Sequence, residues 1–275
     1  MPVTYHEVIY EPGPVARVIM NRPEYRNAQS RVLLEEIDAA FQEAVDDPEV
    51  LVIVLSGHGP DFSAGHDLGS PPELADREIR GWDEDFVGVY DRQRDTRITN
   101  TMRWRNVPKP TIAMVHGKCI FGGWMVAASM DLIFASDDAL FLPSHTQYFS
   151  APWDLGVRKA KEILFQNRFI PAQEAKELGF VNQVYPADVL ERKTLEYARE
   201  VAERTPMALR QIKHSINNMQ DGQGFTTHIN ASFMTYAVGA RFGQPDPRMV
   251  KGKRQLSPVA QALAKLKPWP RPRQD

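Results

Sequence analysis

The 275-residue chain reads as an α/β protein: repeated strand–strand–helix turns stacked as a spiral, then a helical C-terminal region. Three observations predict this. Continuous runs such as Leu51-Val52-Ile53-Val54-Leu55 and Thr111-Ile112-Ala113-Met114-Val115 have the composition of strands buried on both faces. Between such runs lie stripes with a period near 3.6, as at Leu33, Leu34, Ile37, Phe41 and Val45. The last third has helical stripes and few glycine-lined loops.

In chain order, residues 5–10 and 15–20 predict two strands around the turn Glu11-Pro12-Gly13-Pro14. The amphipathic stripe from Leu33 predicts a helix, which Asp47-Pro48 ends before the strand at 51–55. Residues 71–105 mix Trp82, Tyr90 and Trp104 with many charges, the pattern of a lid helix or of a solvated surface helix. The strand at 111–115 runs into a glycine loop, a short buried helix over 123–130, and short strands at 132–135 and 139–142. Helices are expected at 157–165, 171–178, 187–204, 206–219 and 224–241. Pro171 suits a first-turn position and Gly179 a C-terminal stop. Residues 1–200 are read as the spiral core and 201–275 as a helical packing and assembly region.

Composition removes several function classes. Hydrophobic residues make up 43% and charged residues 25%, and the net charge is −2, which gives no reason to expect nucleic acid or an anionic membrane. One cysteine cannot form an internal disulfide, no apolar run is long enough for a membrane span, and the first residues lack a signal-sequence pattern. A cytoplasmic location is the expectation. Neither glycine loop has a dinucleotide or P-loop spacing, the histidines lack zinc-ligand spacing, and there is no nucleophile elbow around a serine. Seven Lys or Arg and one Asp fall between Lys251 and Asp275, a basic tail that is either solvated or meets phosphates or a neighbouring subunit.

Chemistry concentrates in two glycine loops. Ala64-Gly65-His66-Asp67 and Gly117 through Gly123 each follow an apolar run, and small residues there can bring backbone N–H groups to a ligand. Two converging donors, read as Ala64 and Gly122, would stabilise a carbonyl becoming an oxyanion or enolate. Gly122 sits where a helix N-terminus adds unpaired N–H groups; Asp67 reads as a local hydrogen-bond anchor. His145 and Asp154, nine residues apart with proline bends at 143 and 152 that could fold the segment back, could pair as a general base, with His66, His58 and His116 as competitors.

Taken in order, Asn21 through Ala28, Asp61 through Leu68, Val107 through Ala113, Gly117 through Asp131, Ala172 through Asn182, and Lys253-Arg254 resemble the crotonase (enoyl-CoA hydratase/isomerase) superfamily. The resemblance implies a spiral of ββα units whose C-terminal helices form a homotrimer or a dimer of trimers. It implies an acyl-CoA substrate, so coenzyme A enters as part of the substrate, with no redox cofactor and no metal. Ala64 and Gly122 would be the oxyanion donors. Arg26, Asp67, Lys251, Lys253 and Arg254 would lie near the coenzyme, and Trp82, Trp124 and Trp153 near the acyl group. Hydratases of the superfamily carry two glutamates where this chain has Met125 and His145. A thioether cannot carry a proton at this task. The spacing of His145 and Asp154 is similar to that of the β-diketone hydrolase branch, of the 6-oxocamphor hydrolase type, which implies hydrolysis of the carbon–carbon bond of a β-keto acyl-CoA or cyclic β-diketone. The alternatives are a hydratase, isomerase or lyase with an unusual base, and a non-catalytic acyl-CoA-binding homologue.

Overall fold

The computed structural model describes residues 4–82, 85–241, 249–250, 253–254 and 256–266. In chain order the elements are β1 (Val8–Glu11), β2 (Val15–Met20), α1 (Arg31–Asp46), β3 (Val52–Gly57), α2 (Pro71–Arg80), α3 (Phe86–Arg94), a π-helical turn (Asp95–Thr99) and α4 (Asn100–Arg105). There follow β4 (Thr111–Val115), β5 (Lys118–Ile120), α5 (Gly122–Ala128), β6 (Leu132–Ser136), β7 (Leu140–Leu142), α6 (Ala151–Leu155), α7 (Val157–Gln166), β8 (Ile170–Pro171), α8 (Ala172–Glu177) and β9 (Gln183–Tyr185). The C-terminal part adds α9 (Leu190–Ala202), α10 (Pro206–Gly222), α11 (Phe225–Arg241), the short pair β10 (Met249–Val250) and β11 (Lys253–Arg254), and α12 (Pro258–Ala264).

Six strands form one sheet in the order β1-β2-β3-β4-β6-β9, parallel except for the β1–β2 hairpin. A second sheet runs β5-β7-β8. Consecutive turns therefore place one strand in each sheet: β4 then β5, β6 then β7. The bridge between Ser63 and Cys119 extends this alternation to the loop after β3. This is the α/β architecture the strand–strand–helix repeat predicts, with the helical C-terminal region following it.

Burial on both faces explains the unbroken apolar runs. Ile53 and Leu55 join the core under α1 with Leu33, Leu34, Ile37 and Phe41, while Val52 and Val54 face α9 with Leu190 and Ala198. The Ser30 hydroxyl accepts from the Leu33 N–H at 2.9 Å and starts α1. The first strand begins later than its sequence suggests, at Val8, because the Glu36 carboxylate gathers the N–H groups of His6, Glu7 and Val8. The charged stretch 71–105 forms two helical runs: α2, and then an unbroken run from Phe86 to Arg105 in which the π turn joins α3 to α4.

Candidate active site

The two glycine loops meet. A Cβ placed on Gly65 would lie 2.8 Å from the Ile120 carbonyl and 3.3 Å from the Gly122 nitrogen, and Gly65 also holds a positive φ of 91°. A Cβ on Gly122 would come 2.7 Å from His66 Nδ1 and 2.3 Å from Gln29 Oε1. Both glycines are thus required by close approach of the loops. Phe121, which precedes α5, has φ 46° and ψ −98°, a strained backbone that turns the chain from β5 into the helix.

The backbone donors differ from the pair expected. The Ala64 N–H donates to the Arg26 carbonyl at 2.9 Å and is occupied within the fold, so it is not free for a ligand. Gly65 N–H donates to the Ser63 hydroxyl, and Asp67 N–H to the Gln29 carbonyl. Among the described residues no hydrogen bond is formed by the N–H of His66 or of Gly122. The latter stands in the first turn of α5, where backbone donors have no helical acceptor. The unpartnered donors on the two abutting loops are therefore His66 and Gly122, the first of them two residues on from the expected partner. The parallel bridge of Gln29 with His66 explains the shift: it uses the N–H groups of Gln29 and Asp67 and leaves that of His66 over.

The His66 ring is enclosed between two glutamines, Nδ1 at 2.9 Å from Gln29 Oε1 and Nε2 at 2.6 Å from Gln147 Oε1. A neutral imidazole donates from one nitrogen only. Gln29 Nε2 is buried and otherwise unpartnered, so a Gln29 amide turned to donate to Nδ1, with Nε2–H donating to Gln147, satisfies all three groups. Burial, aided by the positive charge of Arg97, holds this imidazole down at about 3. It is neutral at physiological pH and has no free lone pair for a proton. His116 is turned to the Gly59 carbonyl at 2.7 Å.

His145 is solvent-exposed by area, two residues before Gln147, and partial enclosure lowers its pKa below the ordinary imidazole value. No hydrogen bond or ion pair joins it to Asp154. The Asp154 carboxyl instead lies beside Ser150 and Trp124, its Oδ2 has no hydrogen-bond partner, and burial pushes it up to about 7, opposed by those two neighbours. It lines a cavity of about 530 Å³ with Trp153, Tyr148 and Arg105. Met125, one turn below Gly122, packs in an apolar cluster with Ile98, Tyr148, Phe225, Ile229 and Phe233.

The remaining expected residues separate by environment. Trp124 is fully buried, stacked on Phe180 with ring centroids 3.7 Å apart, and is core rather than acyl-pocket lining. Asp67 is a loop anchor: its carboxylate accepts from Gly69 N–H, Ser70 N–H and Ser70 Oγ, and pairs with Arg22 at 2.9 Å. Those contacts occupy both oxygens and leave none facing a coenzyme. Arg26 is exposed, its side chain held among the described residues by a single 3.6 Å ion pair to Asp61, and can meet a ligand. Trp82 lines a cavity of about 160 Å³ together with His66, Asp67 and Gln147. Trp153 rests on Phe225 and His228. Lys251 lies outside the described residues; the backbone of Lys253 and Arg254 forms β11, and their side chains lie outside the description. Gln29, Gln147 and Arg97 surround the site without having been expected there. Among the described residues no cluster of three or more His, Cys, Asp or Glu is placed to hold a metal, and no helix is long and apolar enough to cross a membrane.

The model of the family Enoyl-CoA hydratase/isomerase matches residues 11–243. EchA13 of Mycobacterium tuberculosis, an enoyl-CoA hydratase by provisional name, is 39% identical over 252 residues, 84% of this chain and 79% of that protein. A crystal structure from Mycobacterium smegmatis, provisionally named an enoyl-CoA hydratase, is 41% identical with a TM-score of 0.78 over 86% of this chain and 95% of that one. One from Xanthobacter autotrophicus Py2, described as an enoyl-CoA hydratase/isomerase, is 31% identical with a TM-score of 0.80 over 88% and 90%.

Proposed function

The chain belongs to the enoyl-CoA hydratase/isomerase family, and on that premise we propose that it binds an acyl-CoA thioester and stabilises the enolate formed at its carbonyl. The observation that carries this is the pair of unpartnered N–H groups on His66 and Gly122, held on abutting loops. Donors fixed before the reaction stabilise charge that develops on the thioester oxygen. Arg26, exposed beside the first loop, is offered to the coenzyme phosphates.

The finer reading is hydrolysis of the carbon–carbon bond of a β-keto acyl-CoA. Support comes from the candidate bases: Met125 carries no proton, the His66 ring is saturated with hydrogen bonds, and His145 is an imidazole with no hydrogen-bond partner among the described residues, its pKa lowered by partial burial. His145 would take a proton from water, and the hydroxide would attack the β-carbonyl. Collapse of that adduct breaks the Cα–Cβ bond, and the electron pair becomes the thioester enolate at His66 and Gly122. The imidazolium then returns the proton to Cα. The products are a carboxylic acid and a shortened acyl-CoA. Asp154 has no part in this scheme as a partner of His145. Hydration of an enoyl-CoA by the same single base is the second reading, favoured by the names of the relatives.

Mass spectrometry of products from β-keto acyl-CoAs, cyclic 1,3-diketones and 2-enoyl-CoAs in ¹⁸O water tests this. A labelled carboxylic acid with a shortened thioester is expected. A labelled hydroxyacyl-CoA would replace hydrolysis by hydration, and no turnover of any panel member would favour a non-catalytic binding protein.

A further inference from the structure

The small cavity beside His66 is arginine-rich. Arg31, Arg77, Arg92 and Arg97 line it, against two carboxylates, Asp67 and Glu73. Asp67 is turned away to Arg22 and the Gly69–Ser70 turn. Glu73 pairs with Arg77 within the cavity and accepts from the Arg31 N–H at 2.9 Å, and the Arg31 guanidinium is held by Asp76 at 2.6 Å. Arg77 and Arg92 lie over the Trp82 ring at 3.9 and 3.8 Å. Arg97 differs from its neighbours: its Nη1 is buried and has no hydrogen-bond partner. It projects from the π-helical turn, a backbone form concentrated at functional sites. Burial, reinforced by Arg92 and Arg77 and opposed by Tyr236 and Glu73, lowers its pKa to about 10, so it still carries its charge.

A buried guanidinium with an empty N–H is unfavourable unless an anion meets it. His66, whose backbone N–H is assigned above to the thioester oxygen, lines this cavity with Gln147 and Arg97, so the cavity borders the proposed acyl site. The cavity, about 160 Å³, has room for a carboxylate and a few methylenes.

We propose that this cavity binds a carboxylate at the far end of the acyl group, so that the preferred thioester is a short ω-carboxyacyl-CoA with Arg97 as its principal partner. The assignment rests on the acyl-CoA reading above. Planar, charge-assisted hydrogen bonding of a guanidinium to a carboxylate gives both affinity and selectivity.

Calorimetric titration of the whole protein compares succinyl-, glutaryl- and adipyl-CoA with butyryl-, pentanoyl- and hexanoyl-CoA. Within the best pair the carboxylate is expected to bind about tenfold or more tightly. In Arg97→Met that ratio should collapse toward unity, and Arg97→Lys, which keeps charge but not the planar fork, should retain only part of it. Equal binding of charged and neutral thioesters to the parent protein overturns the carboxylate site and leaves the acyl-CoA reading standing. An unchanged ratio in both folded variants also overturns the role of Arg97. Binding of no thioester at all defeats the acyl-CoA reading, and the carboxylate assignment with it.

Discussion

Two side-chain positions carry most of the chemical argument. A methyl on Gly122 has no room between the Gln29 amide and His66 Nδ1, so Gly122→Ala must displace one loop from the other. Loss of one oxyanion donor lowers turnover by about 10²–10³, and a fall of that size with the fold intact by circular dichroism is the expected result for Gly122→Ala. His145→Ala should lower kcat by about 10²–10⁴ while thioester affinity changes little, measured by steady-state kinetics beside calorimetry. Because enclosure lowers the His145 pKa, its base form persists to a pH below the ordinary imidazole value. The acid limb of kcat should accordingly fall below about 6.5. At this scale the sequence was legible where a residue type limits chemistry, as at Met125. It was misleading where a hydrogen bond decides availability: nothing in Ala64-Gly65-His66 tells which N–H the neighbouring Arg26 carbonyl will take.

Loop and helix ends hold the site in place through charge. Arg22 is 2% exposed and binds Glu7 at 2.8 Å and Asp67 at 2.9 Å, tying the residue that precedes β1 to the loop that carries His66. Removing one partner of a buried ion pair costs about 3–5 kcal/mol, so Arg22→Met should destabilise by roughly that amount in urea titrations. Element types were legible from period and composition: α1, β3, β4 and α5 stand close to their expected spans. The π turn was not, because a single wide turn in a helix has no periodic signature, and Arg97 lay hidden in a stretch of many charges. The short α6 was also hidden, since Pro152 reads as a bend yet sits in a first helical turn where its missing N–H does no harm.

Across the whole molecule, two buried titrations oppose each other. His66 has a folded pKa of about 3, below its unfolded value, so the unfolded state binds more protons and stability is lost as pH falls from about 6.5 toward 3. Asp154 has a folded pKa of about 7, above its unfolded value, so its contribution is present at low pH and is lost as pH rises from about 4 to 7. Their slopes have opposite sign between about 4 and 6.5. Asp154→Asn should therefore raise stability at pH 8, by on the order of 2 kcal/mol, and expose a steeper acid loss; a parallel pH–stability curve would contradict the burial of this carboxyl. The C-terminal helices are proposed as assembly surface. Ile212, Ile216 and Met219 of α10 recur at helical spacing and remain 52–57% exposed in a single chain. Light scattering should give three or six times 31.2 kDa, and Ile216→Arg should shift the mass toward one chain.

The His66 and Gly122 N–H groups are proposed to receive the carbonyl oxygen of a thioester. A difference infrared spectrum of bound butyryl-CoA labelled with ¹³C at the carbonyl tests it most directly. The predicted result is a carbonyl stretch at lower frequency than in water, returning toward the free value in Gly122→Ala. A bound thioester with an unshifted stretch would contradict the claim.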